Sequence, residues 1–334
     1  MSFNIKIHNT NLINDNPPIT FPYELDTFQK NAINSIEEGN NVLVTAHTSA
    51  GKSTVAEYAI AKAIELNKKV IYTSPIKTLS NQKYCDFCKL YDSVGILTGD
   101  IKQNPDASIL VMTTEILRNM LFRSNELINE LYCVIFDEVH YINDIDRGHV
   151  WEETILMLPK NILLIMLSAT IENPDKLANW ILLKNKNIDL VGTKFRPVPL
   201  SHNIYYDEKI IKIMGNDKNF NSKLYSGMES EFHKYYKKYV SSHGLINEMI
   251  LKLEENEYLP CIFFSYSRKK CESYANMIKK VLVNHEEVRD ITKIVNKYIK
   301  GLFKNYERLA QTQSLIKLLF KGIGYHHSGL VHPL

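Results

Sequence analysis

Short apolar runs alternate with amphipathic stretches from Phe21 to about Thr193. Val42-Leu43-Val44 predicts a strand, followed by a helix through Val55, Ala59 and Ile64. Val70-Ile71-Tyr72 predicts the next strand, with a helix from about Ser80 to Leu90. Ile109-Leu110-Val111 leads into a helix from Glu115 to Arg123, and Cys133-Val134-Ile135-Phe136 into a loop and a helix around Trp151 to Leu158. Ile162 to Leu167 precedes a helix capped by Asn173, with Pro174 at its first position. Strands with no polar face are buried on both sides, which implies a parallel sheet covered by helices in a doubly wound α/β domain.

Pro197 and Pro199 break both periodicities, which puts a domain boundary within Thr193–Leu200. Residues 208–245 read as an irregular or partly helical insertion, rich in Lys, Asn, Ser and Tyr. Cys261-Ile262-Phe263-Phe264 restarts the α/β pattern, with a helix from about Arg268 to Val283. Lys-rich helices over 287–320 follow, and a new strand is expected at Gly322 to Tyr325. Residues 1–20, Asn-rich with Pro17-Pro18, read as a flexible N-terminal tail with little to bury.

Composition adds constraints. With 45% hydrophobic and 23% charged residues, the 334-residue chain is an ordinary globular sequence of about two domains. Its longest apolar run, Ile162 to Leu167, falls far short of the roughly 20 residues of a membrane span, and the start lacks a secretory pattern. The net charge of +3 is uneven: residues 1–195 hold 18 Lys and Arg against 23 Asp and Glu, and residues 196–334 hold 22 against 14. A basic half beside an acidic half fits a polyanion partner, and it equally fits a solvated lysine surface. Five cysteines without regular spacing make no disulfide framework, so an intracellular, reducing compartment is expected. Cys85 and Cys88 form a CxxC, but it falls inside a helical pattern with no second pair at zinc spacing. His326 and His327 likewise have no Cys or carboxylate at ligand spacing.

The strongest chemical signal is Ala46-His47-Thr48-Ser49-Ala50-Gly51-Lys52-Ser53, a P-loop with Ala in the first Gly position. It follows a strand and opens a helix, the context in which backbone N–H groups meet phosphate oxygens. Gly51 permits close approach, Lys52 faces the β- and γ-phosphates, and the Ser53 hydroxyl is a Mg²⁺ ligand. A second acidic element at another strand end is required, and Val134-Ile135-Phe136-Asp137-Glu138 supplies it. Asp137 is expected to hold Mg²⁺ through water, and Glu138 to polarise the attacking water as general base.

With Asp137-Glu138-Val139-His140 the chain resembles the DExH-box helicases of superfamily 2, in the Ski2-like group and nearest to the Ski2/Mtr4 RNA helicases, in blocks that span residues 21 to 334. The resemblance rests on Ala46–Ser53, on Thr73 to Lys83, on Leu97-Thr98-Gly99-Asp100 and on Thr113 to Asn119. It continues through Asp146-Arg147-Gly148 with Trp151-Glu152-Glu153, Ser168-Ala169-Thr170, Phe264 to Cys271 and Gly322 to Leu330. It implies a P-loop NTPase of tandem RecA-like doubly wound sheets: domain 1 over 21–195, and a second, incomplete domain over 196–334.

The resemblance also implies roles. Gln29 matches the glutamine that recognises adenine, and Thr54 joins Ser53 at the helix start within the ATP-binding set. Phe21 or Tyr23 could pack against the base, though either reads more simply as core. His140, Ser168, Ala169 and Thr170 match the elements that couple the ATP site to RNA. Thr73, Ser74, Pro75, Gly99, Thr113 and Thr114 fall at turns that in the family bind the nucleic-acid backbone, and Ser265 and Arg268 hold a similar place in the second domain. Hydroxyls and N–H groups there contact phosphates without reading bases. ATP and Mg²⁺ are the implied cofactors. Single-stranded RNA, or a duplex with a single-stranded tail, is the implied partner, together with an RNA-decay complex or a second polypeptide that completes the enzyme. The chain departs from the family in that the later Gln- and Arg-containing motif is not found: Arg196, Arg268, Arg289 and Arg308 do not fall in that pattern. Slow hydrolysis by this chain alone is therefore expected. A DNA helicase of the same group and a non-catalytic nucleotide- and RNA-binding module are the competing readings.

Overall fold

The computed structural model describes residues 4–5, 11–123, 126–169, 171–183, 187–206, 208–215, 219–238, 242–302 and 304–330. The chain forms two compact units, Met1–Val198 and Pro199–Leu334.

In order along the first unit come β1 (Asn4–Ile5), α1 (Thr27–Glu37), β2 (Asn41–Thr45), α2 (Ser53–Glu65), β3 (Lys69–Ser74), α3 (Lys77–Phe87), β4 (Val94–Leu97), β5 (Lys102–Gln103), β6 (Ile109–Thr113), α4 (Thr114–Phe122), β7 (Leu131–Phe136), α5 (Gly148–Met157), β8 (Leu163–Ser168), α6 (Pro174–Leu182) and β9 (Ile188–Gly192). The strands make one sheet in the order β1-β9-β2-β8-β7-β3-β6-β4-β5. Every pairing is parallel except β4 with β5.

The apolar strands form because both faces are covered. Val42, Val44 and Ile135 pack with α1 and α2 on one face, while Leu43, Val134 and Phe136 pack with α4, α5 and α6 on the other. Trp151 of α5 is fully buried in the second layer. Helix boundaries shift by a few residues from the sequence reading: α3 starts at Lys77 rather than Ser80, because Ile76 before it is already extended.

Residues 11–20 are not the free tail expected. Asn34 of α1 holds them from both sides of its amide: its Oδ1 accepts from Ile13 N at 2.9 Å and its Nδ2 donates to Asn11 O at 3.0 Å. Leu12 and Ile19 pack against the core, so a few anchored apolar residues outweigh the polar composition.

The second unit holds a hairpin of β10 (His202–Tyr206) and β11 (Lys209–Met214), then α7 (Ser222–Lys238), α8 (Ser242–Glu255), α9 (Arg268–Met277), α10 (His285–Val295), a π-helical turn at Asn296–Leu302 and α11 (Ala310–Leu319). The stretch read as irregular or partly helical contains strand β11 of the hairpin and a 17-residue helix. Neither Cys261–Phe264 nor Gly322–Tyr325 is a strand, contrary to expectation. A strand exists only with a hydrogen-bonded neighbour, and the second unit's hairpin pairs with neither segment. Ile262 and Phe264 are accordingly exposed, while Ile323 and Tyr325 pack with Ile250, Ile278 and Leu318 in a small core.

Candidate nucleotide site

Sheet order decides which loops meet. The C-terminal ends of β2, β8, β7, β3, β6 and β4 lie side by side. They carry, in that order, the P-loop, Ser168-Ala169, Asp137-Glu138, the turn after Thr73-Ser74, Thr113-Thr114 and the turn at Gly99. In open α/β sheets this edge, at the point where the connections reverse direction, is where ligands bind.

The P-loop is strained in the way a phosphate cradle requires. Ser49 and Gly51 have φ of 67° and 88°, the left-handed region. A Cβ on Gly51 would stand 2.5 Å from Gln29 Nε2. The N–H groups of Gly51, Lys52 and Ser53 have no backbone acceptor among the described residues. Free donors converging on the first turn of α2 are what an anion needs. Lys52 Nζ donates to Ala46 O at 2.9 Å and His47 O at 3.2 Å. Burial lowers its pKa, and Glu138 and Asp137 oppose that shift, so the lysine and both carboxylates share one field. Ala46 and Ala50 are buried beneath the loop.

Gln29 is buried and fully engaged. Its Oε1 accepts from Asp26 N at 2.8 Å, and its Nε2 donates to Gly51 O at 3.0 Å and Thr54 Oγ1 at 3.2 Å. The amide expected to read adenine therefore braces the P-loop. Tyr23 is not core: it is half exposed, and its hydroxyl lies 3.0 Å from Thr54 Oγ1.

Asp137 directly follows β7, with its N–H on Thr73 O at 2.9 Å. One carboxylate oxygen accepts from Glu138 N and the other from the Tyr72 hydroxyl. Glu138 sits at φ 52°, a conformation costly outside glycine and asparagine. His140 Nδ1 lies 3.3 Å from Glu138 Oε2. His140 and Ala169 line a cleft of about 680 Å³ with Glu152, Asn173, Lys176 and Trp180. The Ser168 hydroxyl is buried and has no partner among the described residues. Thr170 lies outside the described residues.

The turns expected to meet a nucleic-acid backbone are less open than the sequence suggests. Thr73 and Ser74 are buried: the Thr73 hydroxyl donates to Ile135 O, and that of Ser74 bonds Ile76 O and lies 2.7 Å from Ser80 Oγ. Pro75 is buried and its carbonyl accepts from Arg147 at 2.6 Å. Thr113 and Thr114 are buried, the Thr114 hydroxyl without a partner among the described residues. Gly99 alone of this group is exposed, beside an ion pair of Lys77 and Asp100 at 2.6 Å. In the second unit Ser265 and Arg268 are exposed, with Arg268 opening α9 behind a Ser267 cap.

Three residues at this edge had no assigned role in the sequence reading. Arg147 bonds Pro75 O and Glu115 and faces the Trp151 ring. Tyr72 reaches Asp137, and Lys83 Nζ donates to Ser53 Oγ at 3.0 Å. Cys85 and Cys88 are exposed at the end of α3. No group of metal-binding His, Cys, Asp and Glu occurs among the described residues, and none of their helices is long and apolar enough to cross a membrane.

A glycine-bearing loop on a helix start, with an Asp-Glu pair two strands away at the same sheet edge, is the arrangement of a P-loop fold. The DEAD/DEAH box helicase family matches residues 26–177. An uncharacterized helicase of Schizosaccharomyces pombe is 43% identical over 97% of this chain and 32% of its own length. The antiviral helicase SKI2 of Saccharomyces cerevisiae is 38% identical over 99% of this chain and 31% of its own. The exosome RNA helicase MTR4 of Homo sapiens is 40% identical over 93% of this chain and 31% of its own. A crystal structure of the DUF1998 helicase MrfA aligns with a TM-score of 0.53 at 17% identity, covering 83% of this chain and 39% of that one, which is a likeness of fold. Residues 26–177 thus carry a DEAD/DEAH box helicase domain, and nearly the whole chain is similar, at about 40% identity, to helicases of the Ski2 and Mtr4 kind. The chain spans about a third of the length of these curated relatives.

Proposed function

We propose that this chain is the ATP-binding portion of an ATP-dependent RNA helicase of the Ski2/Mtr4 type, acting in RNA processing or decay. Residues 21–195 serve as the first RecA-like domain and 196–334 as part of the second. The observation that carries the reading is the shared sheet edge: the phosphate cradle, Asp137-Glu138 and the Gly99 turn all stand on it. Relatives named as RNA helicases, in Arabidopsis thaliana at 39% and Homo sapiens at 40% identity, support RNA over DNA.

The residues fit the roles assigned. The unpaired N–H groups of Gly51, Lys52 and Ser53, with the Lys52 ammonium, hold the ATP phosphates. The Ser53 hydroxyl and the Asp137 carboxylate would hold Mg²⁺, which when bound neutralises phosphate charge. Glu138 orients and deprotonates water at the γ-phosphate. His140, Ser168, Ala169 and Thr170 relay nucleotide state to the RNA edge. There, Gly99 and backbone N–H groups of the turns after β3 and β6 contact phosphates, the buried hydroxyls holding the turns in shape. A decay complex is the partner class.

The test is nucleotide titration and phosphate release on the full chain. Lys52→Ala should weaken ATP binding, since a cation facing phosphate is lost. Glu138→Gln should bind ATP as the parent does and abolish hydrolysis. Equal ATP affinity in parent and Lys52→Ala sinks the assignment, and stimulation by single-stranded DNA but not RNA would move the chain to the DNA-acting class.

A further inference from the structure

Tyr72 and Lys83 come from different elements and converge under the metal-binding edge of the nucleotide site. Tyr72 is on β3, 1% exposed, and its hydroxyl donates to Asp137 Oδ2. Asp137 Oδ1 is already occupied by the Glu138 N–H. Both carboxylate oxygens are thereby fixed, and with them the direction in which the remaining lone pairs point. Lys83 is on α3, partly buried, and donates to Ser53 Oγ at 3.0 Å. That bond uses one lone pair of the hydroxyl and leaves the other for a cation. The two residues also touch each other, the Lys83 ammonium lying 5.9 Å from the Tyr72 ring centroid, and Phe87 closes the ring edge-on at 5.3 Å. The field of Lys83 extends to Glu57 on α2, opposing the upward shift that burial gives that carboxyl.

We infer that Tyr72 and Lys83 are positioning residues that orient the two Mg²⁺ ligands, Asp137 and Ser53, from the layer beneath them. The inference rests on the nucleotide-site reading above and adds its supporting shell. Partners of this kind fix ligand orientation, and their loss typically costs about 10–100-fold in metal affinity.

The experiment titrates Mg²⁺ into the full chain with a fluorescent ATP analogue and records nucleotide binding, with a parallel series in a metal chelator. For the parent, binding should tighten with Mg²⁺. Tyr72→Phe removes one oxygen and keeps the ring, so it should need about 10-fold more Mg²⁺ or above for half-saturation. Its metal-free nucleotide affinity and melting temperature should stay near the parent's. Lys83→Met should shift the Mg²⁺ requirement the same way, and it decides the matter should Tyr72→Phe fail to fold. Mg²⁺ curves that superimpose on the parent's overturn the inference while leaving the nucleotide site standing. An equal loss of metal-free affinity also overturns it, since the residues would then shape the P-loop at large. A parent chain that binds no nucleotide removes the site reading and the inference together.

Discussion

Gly51→Ala tests the architecture of the cradle, with Gly39→Ala as its control. Both glycines have positive φ, 88° and 74°, so alanine at either carries the left-handed cost, roughly 1–2 kcal/mol. They differ in surroundings. At Gly39, just past the end of α1, an added Cβ meets nothing within 4 Å. At Gly51 it stands 2.5 Å from Gln29 Nε2, the far end of a side chain that is itself 4% exposed. Gln29 must swing away and lose buried hydrogen bonds to Gly51 O or Thr54 Oγ1. An unmet buried amide costs about 1–3 kcal/mol. Gly39→Ala should therefore lower the melting temperature by roughly 2–8 °C, at about 2–4 °C per kcal/mol for a unit of this size. Gly51→Ala should add a further 2–12 °C or so on the same scale. It alone should weaken ATP binding, because the displaced amide no longer braces the loop. Thermal melts and nucleotide titrations on both variants decide the matter. Equal melting temperatures for the two, with Gly51→Ala binding ATP as the parent does, would show that the Gln29 contact does not hold the cradle.

Two further outcomes follow from charge and burial. Single-stranded RNA should bind in a sequence-tolerant way with affinity falling steeply as salt rises, since phosphate contacts release counterions; an affinity flat with salt in a gel-shift or anisotropy series would remove the backbone-binding reading. The buried phenol of Tyr72, whose pKa burial and Asp137 raise well above 10, contributes to alkaline stability alongside Tyr58, Tyr91, Tyr132 and Cys133, whose pKa values burial also raises. The unfolded chain loses that proton near pH 10 and the folded one does not, so the unfolded state then binds fewer protons and stability falls as pH rises past 10. The contribution is intact below pH 10, and Tyr72→Phe should show a shallower alkaline decline in denaturant melts.

The first unit was legible in the sequence because its strands β2, β3, β6, β7 and β8 are apolar on both faces, a pattern only a covered parallel sheet explains. The P-loop and Asp137-Glu138 were legible because their chemistry is local to a short run of residues. Tyr72 and Lys83 were not. A tyrosine inside an apolar strand reads as core, and a lysine on an amphipathic helix reads as a solvated face; only the fold reveals that the hydroxyl and ammonium point to Asp137 and Ser53. For Thr73 and Ser74 the difference runs the opposite way, as hydroxyls at a strand end look available until Ile135 and Ser80 are seen to take them. In the second unit, Cys261–Phe264 shows that an apolar run is necessary for a buried strand without being sufficient, since pairing is a property of two segments. The extent of α7, within a stretch read only as irregular or partly helical, was not legible because its Lys, Ser and Tyr residues blur the 3.6-residue period.

The strand β8 lies between β2, which carries the P-loop, and β7, which carries Asp137 and Glu138. It acts as a ruler. Adjacent strands repeat at about 4.8 Å, so one intervening strand sets the P-loop and the Asp137-Glu138 turn on axes roughly 10 Å apart. That span is dictated by backbone geometry, which no side-chain replacement within the strands can retune. Natural variation in β2, β7 or β8 can alter how tightly the layers fit while leaving the gauge of the site untouched.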